Sequence, residues 1–152
     1  MKISFKGDYA LKTILYLSQQ YQDDPHRPVI ISEIATRRDI PVKYLEHILL
    51  LLKGSGYVHS KRGPDGGFLL AKPPSKITIG EIIRLTEGPT SPITCVSSSC
   101  YVKCHDENTC AFRDIFVEIK DSINRVVDTT TFEDMCGKAR QKTSAGTLDY
   151  SI

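Results

Sequence analysis

Pro41-Val42-Lys43-Tyr44-Leu45-Glu46-His47-Ile48-Leu49-Leu50-Leu51-Leu52-Lys53-Gly54, followed shortly by Arg62-Gly63-Pro64-Asp65-Gly66-Gly67-Phe68-Leu69-Leu70-Ala71, is the stretch on which the fold turns. In the first part Leu45, Ile48, Leu49 and Leu52 recur at helical spacing on one face, and Lys43, Glu46, His47 and Lys53 occupy the other. Pro41 suits the first turn of such a helix, and Gly54 and Gly56 end it. In the second part, Tyr57 to Arg62 and Gly67 to Ala71 have the composition of two short strands around a Gly-Pro-Asp-Gly turn. A hairpin directly after a polar-faced helix is a wing.

Upstream, Ser32 suits the N-cap of a short helix with Ile34 and Ala35 turned inward, broken at Asp39-Ile40-Pro41. Two helices joined by a tight turn, the second with a polar outer face, form a helix-turn-helix. Asp8 to Tyr21 is expected to be a helix with Leu11, Ile14, Leu15, Ser18 and Tyr21 on one face. An acid at its first position is favoured by the helix dipole.

Downstream, Thr78 and Glu81 have capping-box spacing ahead of a helix from Ile79 to Glu87, which Gly88-Pro89 stops. Residues 89–109 show almost no periodicity and are expected to be a loop. From Cys110 to Asp128, Phe112, Phe116, Ile119, Ile123 and Val126 recur at spacings of four, three, four and three, a heptad seam suited to a dimer. Thr130-Thr131-Phe132-Glu133 can cap a short helix reaching Arg140. The expected organisation is a winged helix-turn-helix over 1–88, a cysteine-rich loop over 89–109, a dimerisation helix with a terminal helix over 110–140, and a flexible tail over 141–152. The fold class is mainly α with a small β-hairpin.

With 152 residues, 40% hydrophobic and 25% charged, the composition is that of a globular domain and excludes a disordered or collagen-like chain. No apolar run approaches the ~20 residues needed to cross a bilayer, and the first residues lack a signal-peptide core, so a cytoplasmic location is expected. Charge is uneven. Residues 1–76 hold twelve Lys/Arg against seven Asp/Glu, and residues 77–152 hold eight against eleven. A basic first half suits a polyanionic partner, because Lys and Arg displace counterions from phosphates. No nucleotide fingerprint, zincin helix or nucleophile elbow is present, so an enzyme is not expected.

A recognition helix enters the major groove with the side chains near its N-terminus on the bases. Here those are Val42, Lys43, Tyr44, Glu46 and His47. Lys61 and Arg62, with Gly63 and Pro64, form the wing tip, and Arg62 suits the negative potential of a minor groove. Lys2, Lys6 and Ser32 suit phosphate contacts.

Cys95, Cys100, Cys104 and Cys110 fall within sixteen residues. Thiolates are soft ligands that suit iron–sulfur clusters, zinc and copper(I). A structural zinc site uses separated pairs of closely spaced cysteines, whereas this loop contains no C-x2-C, which favours a cluster. A thiol–disulfide switch stays open, because Lys103 and His105 can lower a thiol pKa, and His105 is itself a candidate ligand. Cys136, isolated in a helical stretch, suits a buried inert thiol.

With those residues in view, the chain resembles the bacterial winged-helix iron–sulfur regulators typified by IscR, NsrR, RirA and CymR. The resemblance runs from Ile3 to about Arg140. It is carried by Lys6-Gly7-Asp8-Tyr9-Ala10-Leu11, Tyr44-Leu45-Glu46-His47-Ile48-Leu49, the Arg62 to Ala71 wing and Ile79-Gly80-Glu81-Ile82-Ile83. It implies a homodimer on a palindromic operator in double-stranded DNA, regulated, as a repressor, by iron–sulfur, nitric oxide or redox status. It also implies a cluster, 2Fe–2S ahead of 4Fe–4S, on Cys95, Cys104 and Cys110. Members of the CymR type regulate without a cluster, which leaves a thiol switch or a protein or small-molecule effector as the alternative. Two departures stand out: a fourth loop cysteine makes Cys100 an alternative to Cys95, and Arg113 stands where IscR-like members carry a histidine ligand. Since a guanidinium does not ligate iron, the resemblance to NsrR-like members points to Asp8 of the other subunit as fourth ligand.

Overall fold

The computed structural model describes residues 2–148. Their order is α1 (Phe5–Asp23), α2 (Ile31–Arg38), α3 (Val42–Gly54), β1 (Val58–Lys61), β2 (Gly67–Leu70), α4 (Ile79–Glu87), α5 (Arg113–Thr129) and α6 (Phe132–Leu148). The expected class, helices with one antiparallel hairpin in a winged-helix arrangement, is the observed one. No helix among the described residues is long and apolar enough to cross a membrane.

The core is built where α1 and α3 cross. Ala10, Ile14 and Leu17 of α1 meet Leu45, Ile48, Leu49 and Leu52 of α3, all buried, with Ile34, Ile77, Ile82 and Phe132 closing the cluster. Burying each such Ile, Leu or Phe side chain stabilises the fold by about 1.5–3 kcal/mol. The apolar stripe of α3 therefore fixes which of its residues face outward.

Helix starts differ from expectation for local reasons. α1 begins at Phe5 because the Ser4 hydroxyl accepts from the Gly7 amide (3.3 Å), so Asp8 lies inside the first turn and does not open the helix. Ser32 is not the cap of α2: Ile30 is, without a side-chain bond. Val29 is pinned in extended backbone by paired hydrogen bonds with Phe68 (3.0 and 2.8 Å), so the chain turns helical immediately after it. Pro41 occupies the N-cap of α3, one position ahead of its first turn.

β1 and β2 pair from Val58↔Leu70 to Lys61↔Gly67, and Val29 adds a single-residue third rung beside Phe68. Gly67 is obligatory there: its φ is +154°, and a Cβ would lie 2.6 Å from the Val29 carbonyl oxygen. The Thr78–Glu81 capping box of α4 forms as expected.

α5 begins at Arg113. Cys110 does not open it, because the Arg113 amide bonds the Cys110 carbonyl in a separate turn (3.3 Å). α6 is capped by Thr131, whose amide and hydroxyl donate to the Asp134 carboxylate (2.9 and 2.7 Å) and hold that acid below its usual pKa. It continues past Arg140 to Leu148. The tail expected over 141–152 is thus helical to Leu148, and residues 149–152 lie outside the described part. Cys136 is fully buried, and desolvation pushes its thiol up despite Arg140 and Arg38 nearby.

Candidate nucleic-acid interface and cysteine loop

The turn between α2 and α3 passes through Asp39 in the left-handed region (φ 51°, ψ 52°), then tucks Ile40 into the core with its amide on the Ala35 carbonyl (3.0 Å). This sets α3 across α2 and leaves Val42, Lys43, Tyr44, Glu46, His47 and Leu50 exposed together. Leu50, 67% exposed, is hidden in the sequence by the run Leu49-Leu50-Leu51-Leu52; only the helical phase set by Leu45 and Leu49 separates it from the core. Tyr44 is less free than its exposure implies. Its ring meets Tyr9 edge-on at 6.4 Å, and Tyr9 meets Phe5 at 6.0 Å, so an aromatic row ties the start of α3 to the start of α1.

The wing carries Lys61, Arg62, Gly63, Pro64 and Asp65 as a continuous exposed tip. One brace has no signal in the sequence: the Lys53 ammonium at the end of α3 donates to the Ser60 hydroxyl of β1 (2.7 Å), coupling helix and wing. Ser32 is exposed in the first turn of α2, and Lys2 lies in an open groove beside Asp8 and Glu87. Glu87, the last residue of α4, accepts from the Ser4 amide and hydroxyl (3.1 and 2.6 Å). The carboxylate lies against Gly7 where a Cβ would be, so a larger residue there would have to push the Glu87 side chain aside. The segment carrying Lys2 and Asp8 is thereby tied to the point where the cysteine loop begins.

The loop is organised, though it has little regular structure. Thr94–Val96 forms a short 3-10 turn that buries Cys95 and Val96. Arg113 acts as the staple: one guanidinium nitrogen donates to the Cys95 carbonyl (3.0 Å) and the other pairs with Glu107 (3.0 Å). Tyr101 donates to the second Glu107 oxygen (2.6 Å), and this bond to a carboxylate raises the phenol's pKa. The position that departs from the IscR-like pattern thus holds the loop together from its own backbone.

Cys95 is buried, Cys104 and Cys110 half-buried and Cys100 exposed; all are free thiols. Asp8 pairs with Lys12 (2.6 Å) on the partly exposed side of α1. Among the described residues no three His, Cys, Asp or Glu side chains converge as a metal site, so Asp8, His105 and the cysteines are not gathered within one subunit. The donor set nonetheless fits an iron–sulfur cluster chemically: unpaired thiols on a segment with no regular element between Val96 and Arg113.

On α5, Phe112, Ile115, Ile119 and Val126 are exposed and Phe116 and Ile123 are half-buried, while Val127 faces the core. Three of the five heptad positions, Phe112, Ile119 and Val126, are thus left exposed, and the other two are partly covered. Arg84 of α4 holds the helix to its own subunit, reaching Asn124 (3.4 Å) and Asp128.

The family model described as "Rrf2: Iron-dependent Transcriptional regulator" matches residues 3–138. An Rrf2-like HTH-type transcriptional regulator of Rhodobacter capsulatus is 42% identical over 136 residues, covering 88% of this chain and 91% of the relative. Among solved structures, CymR, the global cysteine regulator of B. subtilis, superposes with a TM-score of 0.77 at 34% identity, covering 91% of this chain and 98% of that one. The T. potens IscR structure gives 0.72 at 31% identity, covering 91% of this chain and 88% of that one.

Proposed function

The chain belongs to the Rrf2 family of transcriptional regulators, and from that premise we propose a homodimeric repressor that binds a palindromic operator under the control of its cysteine loop. The observation that carries this reading is the exposed face of α3, polar but for Val42 and Leu50 and beside a braced, basic wing tip, on a helix whose other face is fully buried. Lys43 donates to guanine or phosphate, and Glu46 accepts from cytosine. Val42, Tyr44 and His47 complete the major-groove face. Arg62, with Lys61, Gly63 and Pro64, enters the adjacent minor groove, and Lys2 and Ser32 position the phosphates.

Cys95, Cys104 and Cys110 hold an iron–sulfur cluster, 2Fe–2S in preference to 4Fe–4S, with Asp8 of the second subunit as fourth ligand and Cys100 and His105 as alternates. The family's description as iron-dependent supports iron as the metal. When bound, such a cluster supplies iron that reacts with oxidants and nitric oxide. Arg113 keeps Cys95 in place. To ligate iron, Asp8 would give up its ion pair with Lys12; it stands next to Tyr9, whose ring meets Tyr44 on α3. A coupling of about 1–3 kcal/mol between loop and reading helix changes DNA affinity by roughly five- to 150-fold.

A second reading, a cluster-free thiol switch, is favoured by the scatter of the free thiols and by the likeness to a cysteine regulator. Anaerobic purification separates the two. A coloured protein with iron and sulfide, whose visible spectrum shifts in Asp8→Ala, is expected. A colourless protein that forms a reversible disulfide and holds no iron would establish the switch instead.

A further inference from the structure

Between α1, α5 and α6 lies an apolar groove of about 350 Å³. Leu15, Val126, Phe132 and Met135 line it, together with the ammonium-bearing Lys12 and Lys138. Val126 is also the last residue of the exposed seam on α5, so groove and seam are one continuous surface. At the other end of that seam stands Phe112, 67% exposed at the N-cap of α5.

We propose that the groove is the seat for Phe112 of a second copy of this chain, so that each subunit's groove is completed by its partner. This rests on the homodimer reading above. The seam is symmetric in its own numbering: Phe112 and Val126 lie seven positions either side of Ile119, and Phe116 and Ile123 lie three and four positions either side. At 1.5 Å rise per residue, each end is about 10 Å from Ile119. Two such helices paired antiparallel about Ile119 therefore set the partner's Phe112 against Val126, at the mouth of the groove. A parallel pairing would set Phe112 against Phe112 and leave both grooves open.

Charge agrees with this occupant. The groove contributes Lys138, while the segment entering it carries Asp114 in the first turn of α5; Lys12 in the groove wall is already paired with Asp8. The groove volume exceeds one phenyl ring, and Ile115, 54% exposed one turn further on, is positioned to share it. The seating also has a consequence for the sensor. Cys110 precedes Phe112 by two residues, within about 7 Å of chain, and Lys12 in the groove wall is the ion-pair partner of Asp8. A seated Phe112 holds the partner's Cys110 beside Asp8, whether or not iron is present.

The chain contains no tryptophan, so Phe112→Trp introduces a single reporter. In sedimentation the Phe112→Trp protein is expected to be a dimer whose emission is that of a buried indole, moving to longer wavelength as dilution separates the subunits. Adding Met135→Lys in the groove should move the emission to longer wavelength within the dimer. It should also raise the dimer dissociation constant by about tenfold or more, the effect of 1.4 kcal/mol. Lys138→Glu should weaken the dimer, and Asp114→Lys in the same chain should restore it. A dimer whose introduced indole emits as in water, emission indifferent to Met135→Lys, or no rescue by the charge exchange would overturn the seat while leaving the dimer standing. A monomer at every concentration would remove the homodimer and the seat together.

Discussion

Replacing Arg113 by glutamine should loosen the cysteine loop without unfolding the winged helix. The wild-type guanidinium donates to the Cys95 carbonyl at 3.0 Å and pairs with Glu107 at 3.0 Å, at a site where Glu107 is largely buried. A hydrogen bond from a charged donor contributes about 1.5–3 kcal/mol, and a partly exposed ion pair adds at most about 1 kcal/mol. Glutamine can keep one neutral bond, so the net loss is about 2 kcal/mol, or roughly 30-fold in a local opening equilibrium. Hydrogen exchange on the intact protein measures it. The amides of Ser97, Cys100 and Val102, which bond to Thr94 and Ser97 within the loop, should exchange about 30-fold faster. Amides of Ile48 and Leu49 in α3 should not change, because the bonds Arg113 makes are to the loop alone. Equal protection in the loop of both proteins would show that Arg113 does not organise it.

Three further outcomes follow from the same geometry. Arg62→Ala should weaken operator binding and reduce the slope of log affinity against log salt by about one, checked by gel shifts at several ionic strengths; an unchanged slope removes Arg62 from the phosphate-facing surface. Glu33 is held below the usual glutamate range by the Tyr16 hydroxyl (2.7 Å) and then by Arg27, so its contribution is present at neutral pH and lost as pH falls through its depressed pKa. Tyr16→Phe should therefore cost stability at pH 7 and little well below pH 4, and an equal cost at both values would refute the linkage. Cys104→Ser and Cys110→Ser should each abolish the visible absorption of anaerobic protein, while Cys136→Ser, at a buried site on α6, should leave it intact.

What the sequence made legible was local or periodic. The Thr78–Glu81 box, the α3 stripe and the hairpin turn each depend on residues within a few positions of one another, and each forms as spacing indicates. The misplaced boundaries depend on distant partners. α2 starts at Ile31 because Val29 is pinned by Phe68, far along the chain, and no pattern near Ser32 records that. α1 starts early because Ser4 caps it, a signal masked by Gly7, beside which the distant Glu87 carboxylate is seated. In the loop, the Cys95–Arg113–Glu107–Tyr101 network has no periodicity to betray it, and the sequence marks Arg113 only as a missing ligand. The exposed wing tip and the exposed face of α3 are nameable residue by residue. The groove is not, since residues from separate segments line it.

The linkage between loop and DNA is tested most directly by titrating one operator duplex with iron-loaded and metal-free dimer, anaerobically, across a range of salt. Affinities of the two forms are expected to differ by roughly five- to 150-fold at every salt concentration, with parallel salt slopes because the phosphate contacts are shared. Superimposable titrations of the two forms would contradict it.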